Sequence, residues 1–361
     1  MIKDLQYNAI ELLKQLIAIP SFSREEDKTA DLIRDFLKEN EVACFRSGNN
    51  VWTKNKYFDE SKPTILLNSH HDTVKPGNDY TLDPFEAIEK EGKLHGLGSN
   101  DAGGCLVSLV ATFIHFYEAE NLSHNLVLVA SAEEEISGEN GITSVLDKIP
   151  TIDFGIVGEP TLMDMAVAEK GLMVLDCTAY GKSGHAARGE GENAIYIALE
   201  DINTLNNFKF EKTSSYLGEI KLSTTVIQAG KNHNSVPETC SFVVDVRTTD
   251  AYTNDEVLAM IKDKLKSEVK ARSTRLQPSF MKLNHPLLLI AKELGYQFYG
   301  SPTLSDQALL PFPTVKLGPG DSARSHTADE FIYMEEIEQG IEKYIALIER
   351  LASSKEAKES N

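Results

Sequence analysis

The stretch Thr64-Ile65-Leu66-Leu67-Asn68-Ser69-His70-His71-Asp72 decides the fold of this 361-residue chain. Residues 64–68 show no alternation and are mostly branched and apolar, which predicts a strand buried on both faces of a parallel sheet. His70 and Asp72 stand where that strand ends, and in open α/β sheets the ligand crevice lies beyond the carboxyl ends of the strands. An imidazole and a carboxylate two residues apart in that position suit metal chemistry. Matching donors are therefore expected at the ends of neighbouring elements.

They are found there. The apolar run Asn125 to Ala132 predicts a second buried strand and is followed at once by Glu133, Glu134 and Glu135; Asp153 to Val157 predicts a third, ending in Gly158-Glu159-Pro160. A Gly-rich segment, Gly92 to Gly104, delivers Asp101 just before a helix over Leu106 to Tyr117, and Gly318-Pro319-Gly320 leads to Arg324-Ser325-His326. A histidine beside an apolar strand is more often structural, and a run of glutamates is more often solvated. The recurrence of donors at three strand ends outweighs those readings, because unpaired carboxylates directly after a buried strand would be costly. His70, Asp101, Glu135, Glu159 and His326 make a set of two imidazoles and three carboxylates, suited to two divalent ions sharing one bridging carboxylate. Zinc fits this mixture of nitrogen and oxygen donors, with manganese or cobalt as alternatives. Adjacent residues in extended chain point to opposite sides, so Glu134 and Glu135 take different jobs: one holds metal, the other serves as general base.

The rest of the chain frames this cluster. Ile10, Leu13 and Ile17 predict an N-terminal helix that Pro20 ends; Ser23 and Glu26 read as a capping box opening a helix whose apolar side is Ala30, Ile33, Phe36 and Leu37. Short strands are expected near Val42 to Arg46 and Val51 to Lys54. From Leu172 the texture changes to longer half-polar strands, Leu172 to Gly181, Glu219 to Gln228 and Cys240 to Thr248, with helices near Asn193 to Leu205 and over Asp255 to Val269. This predicts an antiparallel sheet with one face covered by helices. The α/β texture returns after Met281, with a helix near Pro286 to Leu294, a strand over Thr314 to Leu317 and a closing helix over Met334 to Leu351; a charged tail, 355–361, is expected to fray. The organisation expected is a mixed, largely parallel α/β domain from 1–174 and 281–361 with an α+β insertion at 175–280.

Composition excludes several partners. A formal charge of -19 repels nucleic acid and anionic membranes, and no run reaches the roughly 18 to 20 apolar residues of a membrane span. Lys3, Asp4, Glu11 and Lys14 interrupt the N-terminal apolar pattern, which disfavours a signal peptide and leaves the cytoplasm as the expected compartment. Cys44, Cys105, Cys177 and Cys240 form no C-x-x-C pair, as expected of reduced structural thiols rather than a thiolate metal site. The Gly-rich stretches lack the spacing of a phosphate loop.

Taken together these residues resemble the co-catalytic zinc aminoacylases and exopeptidases, a family that includes acetylornithine deacetylase, succinyl-diaminopimelate desuccinylase, aminoacylase and glutamate carboxypeptidase. His70 to Val74 is similar to its His-x-Asp element, Gly98 to Gly104 to its Gly-rich loop, Ser131 to Glu135 to its paired-Glu element, and Gly158 to Thr161 and Gly318 to His326 to the remaining two. The resemblance implies a zinc-exopeptidase-like sheet flanked by helices with an inserted lid and dimerisation domain. It implies that Asp101 bridges two Zn2+ ions, that His70 and Glu159 complete one, that Glu135 and His326 complete the other, that Asp72 orients His70, and that Glu134 is the base. Gly181 to His185 resembles the family's lid motif, whose His, here His185, stabilises the oxyanion in the partner subunit's site of a homodimer. Asn234, Arg247 and Gly320 fall at its substrate-binding positions. Leu97 and Gly103 depart from the pattern, standing where the family often has cations.

The resemblance implies removal of an acetyl or succinyl group from ornithine or citrulline in arginine biosynthesis. The alternatives are a succinyl-diaminopimelate desuccinylase or dipeptidase on the same scaffold, or a non-catalytic zinc-binding dimeric interaction protein. A succinyl group would need an additional cation, for which Lys182, Arg188 and Lys231 are candidates. His71 is expected to pack or hydrogen-bond beside the site, and Glu330 is either part of the site's support or a charge at a helix start.

Overall fold

The computed structural model describes residues 2–353, so the expected frayed tail lies outside the described residues. The α-helices are α1 (Ile2–Ile17), α2 (Asp27–Glu39), α3 (Gly104–Phe116), α4 (Ala194–Asn206), α5 (Asn254–Lys264), α6 (Pro286–Glu293) and α7 (Met334–Ser353). The chain divides into two compact units. One comprises Met1–Val167, Met281–Tyr299 and Ser305–Asn361; the other comprises Ala168–Phe280 and Gly300–Leu304.

In the first unit the parallel strands Asn125–Ser131, Thr64–His70, Phe154–Val157 and Thr314–Lys316 lie side by side in that order. Antiparallel strands flank them, Asn50–Lys54 and then Cys44–Ser47 on one side and the strand beginning at Met165 on the other. All seven residues of Thr64–His70 and all seven of Asn125–Ser131 are buried, because both faces of the sheet are covered. Leu66, Val127 and Val129 pack with Ile142, Val145, Ile149 and Ile152 on one face. Helix α3, apolar on nearly every side, packs against the Thr64–His70 and Asn125–Ser131 strands and against α1 and α7. On α7, Ile337, Ile341 and Tyr344 are completely buried and Ile348 nearly so. The architecture is thus a mixed α/β fold with a largely parallel central sheet flanked by helices.

The expected capping box does not form. Glu26 is fully buried and makes no side-chain cap on α2. Its carboxylate instead accepts the amide N–H groups of Arg24 and Glu133 at 2.7 and 3.1 Å and the Asn49 side-chain amide at 2.8 Å. Ser23 donates to Asp72 at 2.7 Å. Both residues were pulled from a local helix-start role by tertiary partners about the site.

The second unit is a four-stranded antiparallel sheet, ordered Lys221–Ala229, Thr239–Thr248, Gly171–Tyr180 and Glu268–Ala271. Cys240, Phe242, Val244 and Val246 are buried with residues of α4 and α5, while the alternate positions face outward. The predicted helix over Asp255 to Val269 ends earlier, at Lys264. Buried Asp201 captures the amides of Lys266 and Ser267 at 3.0 and 2.8 Å, which holds the chain extended there and lets Val269 enter an edge strand.

Candidate metal centre

Parallel alignment brings the ends of three strands together. His70 is the last residue of the central strand and is 1% exposed. Its neighbour Phe154–Val157 ends two residues before Glu159, and the turn between them is pinned by Gly158 N–H to Asn68 O at 2.6 Å and Ser69 Oγ to Gly158 O at 2.8 Å. On the other side Asn125–Ser131 runs into the three glutamates. These are not extended, as the sequence suggested. Glu133 adopts a left-handed backbone, φ 54°, and Glu134–Ile136 form a short helical turn. The turn separates the three side chains. Glu133 accepts the Asn140 side-chain amide at 2.9 Å, Glu134 approaches His70, and Glu135 pairs with His326.

Asp72 fixes this turn. Its Oδ1 accepts the Glu134 N–H at 3.0 Å, and its Oδ2 accepts the Glu135 N–H at 3.2 Å together with the Ser23 hydroxyl. His70 is oriented by the Asp72 main-chain carbonyl, which accepts from Nδ1 at 2.9 Å; the Asp72 carboxylate is farther, at 3.5 Å. Nε2 of His70 is consequently the free nitrogen. It is buried without a hydrogen-bond partner among the described residues, and it faces Asp101 at 3.4 Å and Glu134 and Glu159 at 3.8 Å each.

Two sets of donors close upon this point, His70 with Asp101 and Glu159, and Asp101 with Glu135 and His326. Within each set the donor atoms all lie within 4.8 Å of one another. Asp101 belongs to both. A buried imidazole nitrogen with only carboxylate oxygens around it, beside a second set of an exposed imidazole and two carboxylates, fits a pair of divalent cations. The electrostatics point the same way. Burial opposes a charge on His70, yet Glu134, Asp101, Asp72 and Glu159 together raise its proton affinity well above the usual imidazole range. The hydrogen bond to Glu135 lifts His326 to about 9. Groups that attract a proton so strongly also attract a cation. Burial pushes Glu134 well above the ordinary carboxyl range, with Glu159, Asp306 and Glu135 reinforcing it, although His70 opposes the shift. Glu134 is thus a carboxylate with a high appetite for a proton, standing beside the cluster without belonging to either donor set.

Of the supports behind the cluster, Asp306 carries no signal in the sequence, while Glu330 resolves to support rather than to a charge at a helix start. Asp306, 2% exposed, accepts from the Asn68 side chain at 2.8 Å and the Ser131 hydroxyl at 2.7 Å, so it ties two parallel strands beneath the cluster; burial raises it to about 6. Glu330 is also 2% exposed and accepts the N–H groups of Gly98, Asn100 and Asp101. Burial and the Asp101 charge raise it to about 8 against those three bonds. Gly320, φ 88°, sits where a Cβ would come within 2.5 Å of Asn100 Oδ1, and that side chain bonds Asp321 N–H and O at 3.0 Å each. At Gly103 a Cβ would lie 2.4 Å from the Gly98 carbonyl and 2.6 Å from Leu13, so this loop has no room for a cationic side chain at that position.

The remaining candidates lie in the second unit. Gly184–His185 pairs with Ser235–Val236, and Ala186 N–H donates to Asn234 O at 3.1 Å, so His185 and Asn234 share one exposed turn region. His185 Nδ1 accepts the Ala187 N–H at 3.2 Å, which leaves Nε2 as its donor. Arg247 binds Asp245 through Nε at 2.9 Å and Nη2 at 3.2 Å. It stands near the far end of the Thr239–Thr248 strand from Asn234, roughly 25 Å along at the usual rise per residue. Lys182, Arg188 and Lys231 are exposed.

The profile of peptidase family M20/M25/M40 matches residues 66–350. Acetylornithine deacetylase of Proteus mirabilis is 29% identical, covering 97% of this chain and 98% of the relative. A probable succinyl-diaminopimelate desuccinylase of Staphylococcus aureus is 25% identical over 90% of this chain and 92% of its own. Among solved structures, aminopeptidase PepT of Bacillus cereus superposes with a TM-score of 0.75 at 19% identity, covering 96% of this chain and 99% of that one. Bacillus subtilis YXEP protein, described as a dinuclear metal binding peptidase, superposes with a TM-score of 0.73 at 18% identity over 97% and 99%.

Proposed function

The chain belongs to peptidase family M20/M25/M40, and from that premise we propose that it is a zinc-dependent deacylase that removes an acetyl or succinyl group from ornithine or citrulline. That it is an amidohydrolase follows from the family and from relatives that are deacetylases and desuccinylases. The observation carrying the mechanism is the pair of donor sets sharing Asp101, with Glu134 beside them.

In this reading His70, Asp101 and Glu159 hold one Zn2+ ion and Asp101, Glu135 and His326 the other. Divalent cations there supply Lewis acidity and lower the pKa of water. Glu134 takes the proton from the attacking water and delivers it to the leaving amide nitrogen, a task its raised proton affinity suits. Asp72 keeps Glu134 and Glu135 aimed apart by holding both backbone amides. His185 donates from Nε2 to the developing oxyanion, and Asn234, Arg247 and Gly320 contact substrate.

Arg247 and the His185–Asn234 turn are too far apart along one strand to grip one N-acyl amino acid, which favours a site completed by a second copy. The edge strand Lys221–Ala229 supports that reading, since its side chains are largely exposed, Val226 and Ile227 by 45% and 49%, beside Tyr196 and Leu199 of α4 at 67% and 50%. A homodimer is therefore proposed through this edge. Light scattering of the Val226→Lys/Ile227→Lys double variant should register monomer where the parent is dimeric; a monomeric parent overturns the dimer.

No helix among the described residues is long and apolar enough to cross a membrane, and a cytoplasmic place in arginine biosynthesis completes the proposal. Desuccinylation of succinyl-diaminopimelate is the second reading, favoured by the Staphylococcus aureus relative. The test is hydrolysis of N-acetylornithine, N-acetylcitrulline, their succinyl analogues, succinyl-diaminopimelate and dipeptides by zinc-loaded protein. Glu134→Gln should lower kcat roughly 10²–10⁴-fold with zinc content unchanged. Turnover confined to succinyl-diaminopimelate or dipeptides would move the substrate assignment, and undiminished turnover in the variant would remove Glu134 as the base.

A further inference from the structure

The loop that presents Asp101 has an irregular backbone. Gly98 is left-handed at φ 74°, and Asp101 departs from helical values at φ -116° and ψ 97°, so the amides here lack a continuous helical ladder. Yet Ser99 and Asn100 are completely buried, and their segment must satisfy its N–H groups inside the protein. One carboxylate does most of this. Glu330 Oε1 accepts the N–H groups of Asn100 at 2.8 Å and Asp101 at 2.9 Å, and Oε2 accepts that of Gly98 at 3.0 Å. The Glu330 carbonyl also receives the Gly96 N–H at 3.0 Å. His326 lies four residues earlier in the same segment. The preceding residue, Asp329, turns the other way and accepts the amides of Thr81 and Leu82 at 2.8 and 2.9 Å.

We propose that Glu330 is a positioning residue that, by gathering the amides of Gly98, Asn100 and Asp101, sets the shared carboxylate of Asp101 and locks its loop to the segment carrying His326. The inference rests on the two-cation reading of the centre and deepens it. Asp101 and His326 come from segments with no common strand or helix; the Asn100 side chain ties them once, to the Asp321 N–H and carbonyl, and Glu330 ties them again through three amides of the loop itself. A neutral Gln in its place presents an NH2 group to one of these donors, and the loop must reorganise to satisfy it.

The experiment uses the full chain. Zinc affinities are measured by competition with a chromophoric chelator, and the visible absorption of the Co2+-loaded protein reports ligand geometry independently of turnover. Glu330→Gln should weaken binding of the ion shared by Asp101, Glu135 and His326 roughly 10- to 100-fold and alter the Co2+ spectrum. Glu330→Asp keeps the two carboxyl oxygens but is one methylene shorter and should fall between; it carries the test alone where the Gln variant does not fold. Asp329→Asn should leave both affinities and the spectrum at parental values. Folded Glu330 variants with parental affinities and spectrum overturn the proposal. A parent that fails to bind two ions, or an Asp101→Asn variant that binds them undiminished, overturns the metal-centre reading instead.

Discussion

The two halves of the candidate centre are built from different materials. His70 ends one of two adjacent parallel strands and Glu159 lies two residues beyond the other, and behind them Asp72 bonds Ser23 while Asn68 bonds buried Asp306. Glu135 and His326 come from a tight turn and a loop. His326 has a left-handed backbone at φ 58°, and its side chain is 54% exposed against 1% for His70. Asp101 belongs to both halves. Donors already ordered by a sheet lose little freedom when they take a cation, whereas an exposed loop imidazole must be immobilised. The same ligand chemistry therefore meets unequal ordering costs, and the strand half should hold its ion more tightly.

The strongest way to break this comparison is to remove each imidazole in turn. His70→Ala should lose the tight ion outright and retain at most the weaker one. His326→Ala should lose only the weaker one, leaving the other at parental affinity. In the parent, a graded chelator titration followed by metal analysis should release the two ions in separate steps, about 100-fold apart in chelator strength. Equal release, or loss of both ions in His326→Ala, would show that Asp101 couples the halves so tightly that their scaffolds do not matter.

The same division governs what the sequence disclosed. Strand ends are legible because a run such as Thr64–His70 announces both its burial and where it stops, and parallel packing then brings the following donors together. Four of the five candidate donors are marked by that logic or by the Gly-rich loop, and His326 only by the Gly318-Pro319-Gly320 turn that precedes it. Backing groups carry no such signal. Ser23 and Glu26 have the spacing of a capping box, yet tertiary partners compete better for both side chains. Asp306 is a single carboxylate in an unremarkable segment, and only the fold shows that it joins two strands; Glu330, four residues after His326, leaves two readings open in the sequence, and the fold shows that it collects three amides. The turn at Glu133 was also hidden, since nothing in three consecutive glutamates announces a left-handed residue. In the second unit the alternation in Thr239–Thr248 was plain, whereas the end of α5 depended on Asp201, far away in sequence.

A smaller effect sharpens the comparison within the strand half itself. His71 follows His70 directly but points to the other side, where its Nε2–H donates to the Asn49 carbonyl at 2.9 Å and Nδ1 faces the Thr29 hydroxyl at 2.9 Å. Burial dominates there and lowers it to about 4 from 6.5, while Asp72 and the Asn49 bond oppose the shift. Above pH 6.5 His71 is neutral in both the folded and unfolded chain, so its contribution is complete. As pH falls from 6.5 toward 4 the unfolded chain takes up a proton that the folded one refuses, and stability drops by about 3 kcal/mol over that window. His124, lowered to about 4 by its own burial, adds a loss of the same sign, so the parent alone cannot assign the effect. Urea unfolding of the parent and of His71→Gln at intervals between pH 7 and 4 isolates it. The variant should start less stable at pH 7, having lost a buried fit, but should lose less on acidification. Parallel curves would mean that His71 takes up its proton as readily in the folded protein as in the unfolded chain, and that the wall behind the strand half is less closed to water than its hydrogen bonds imply.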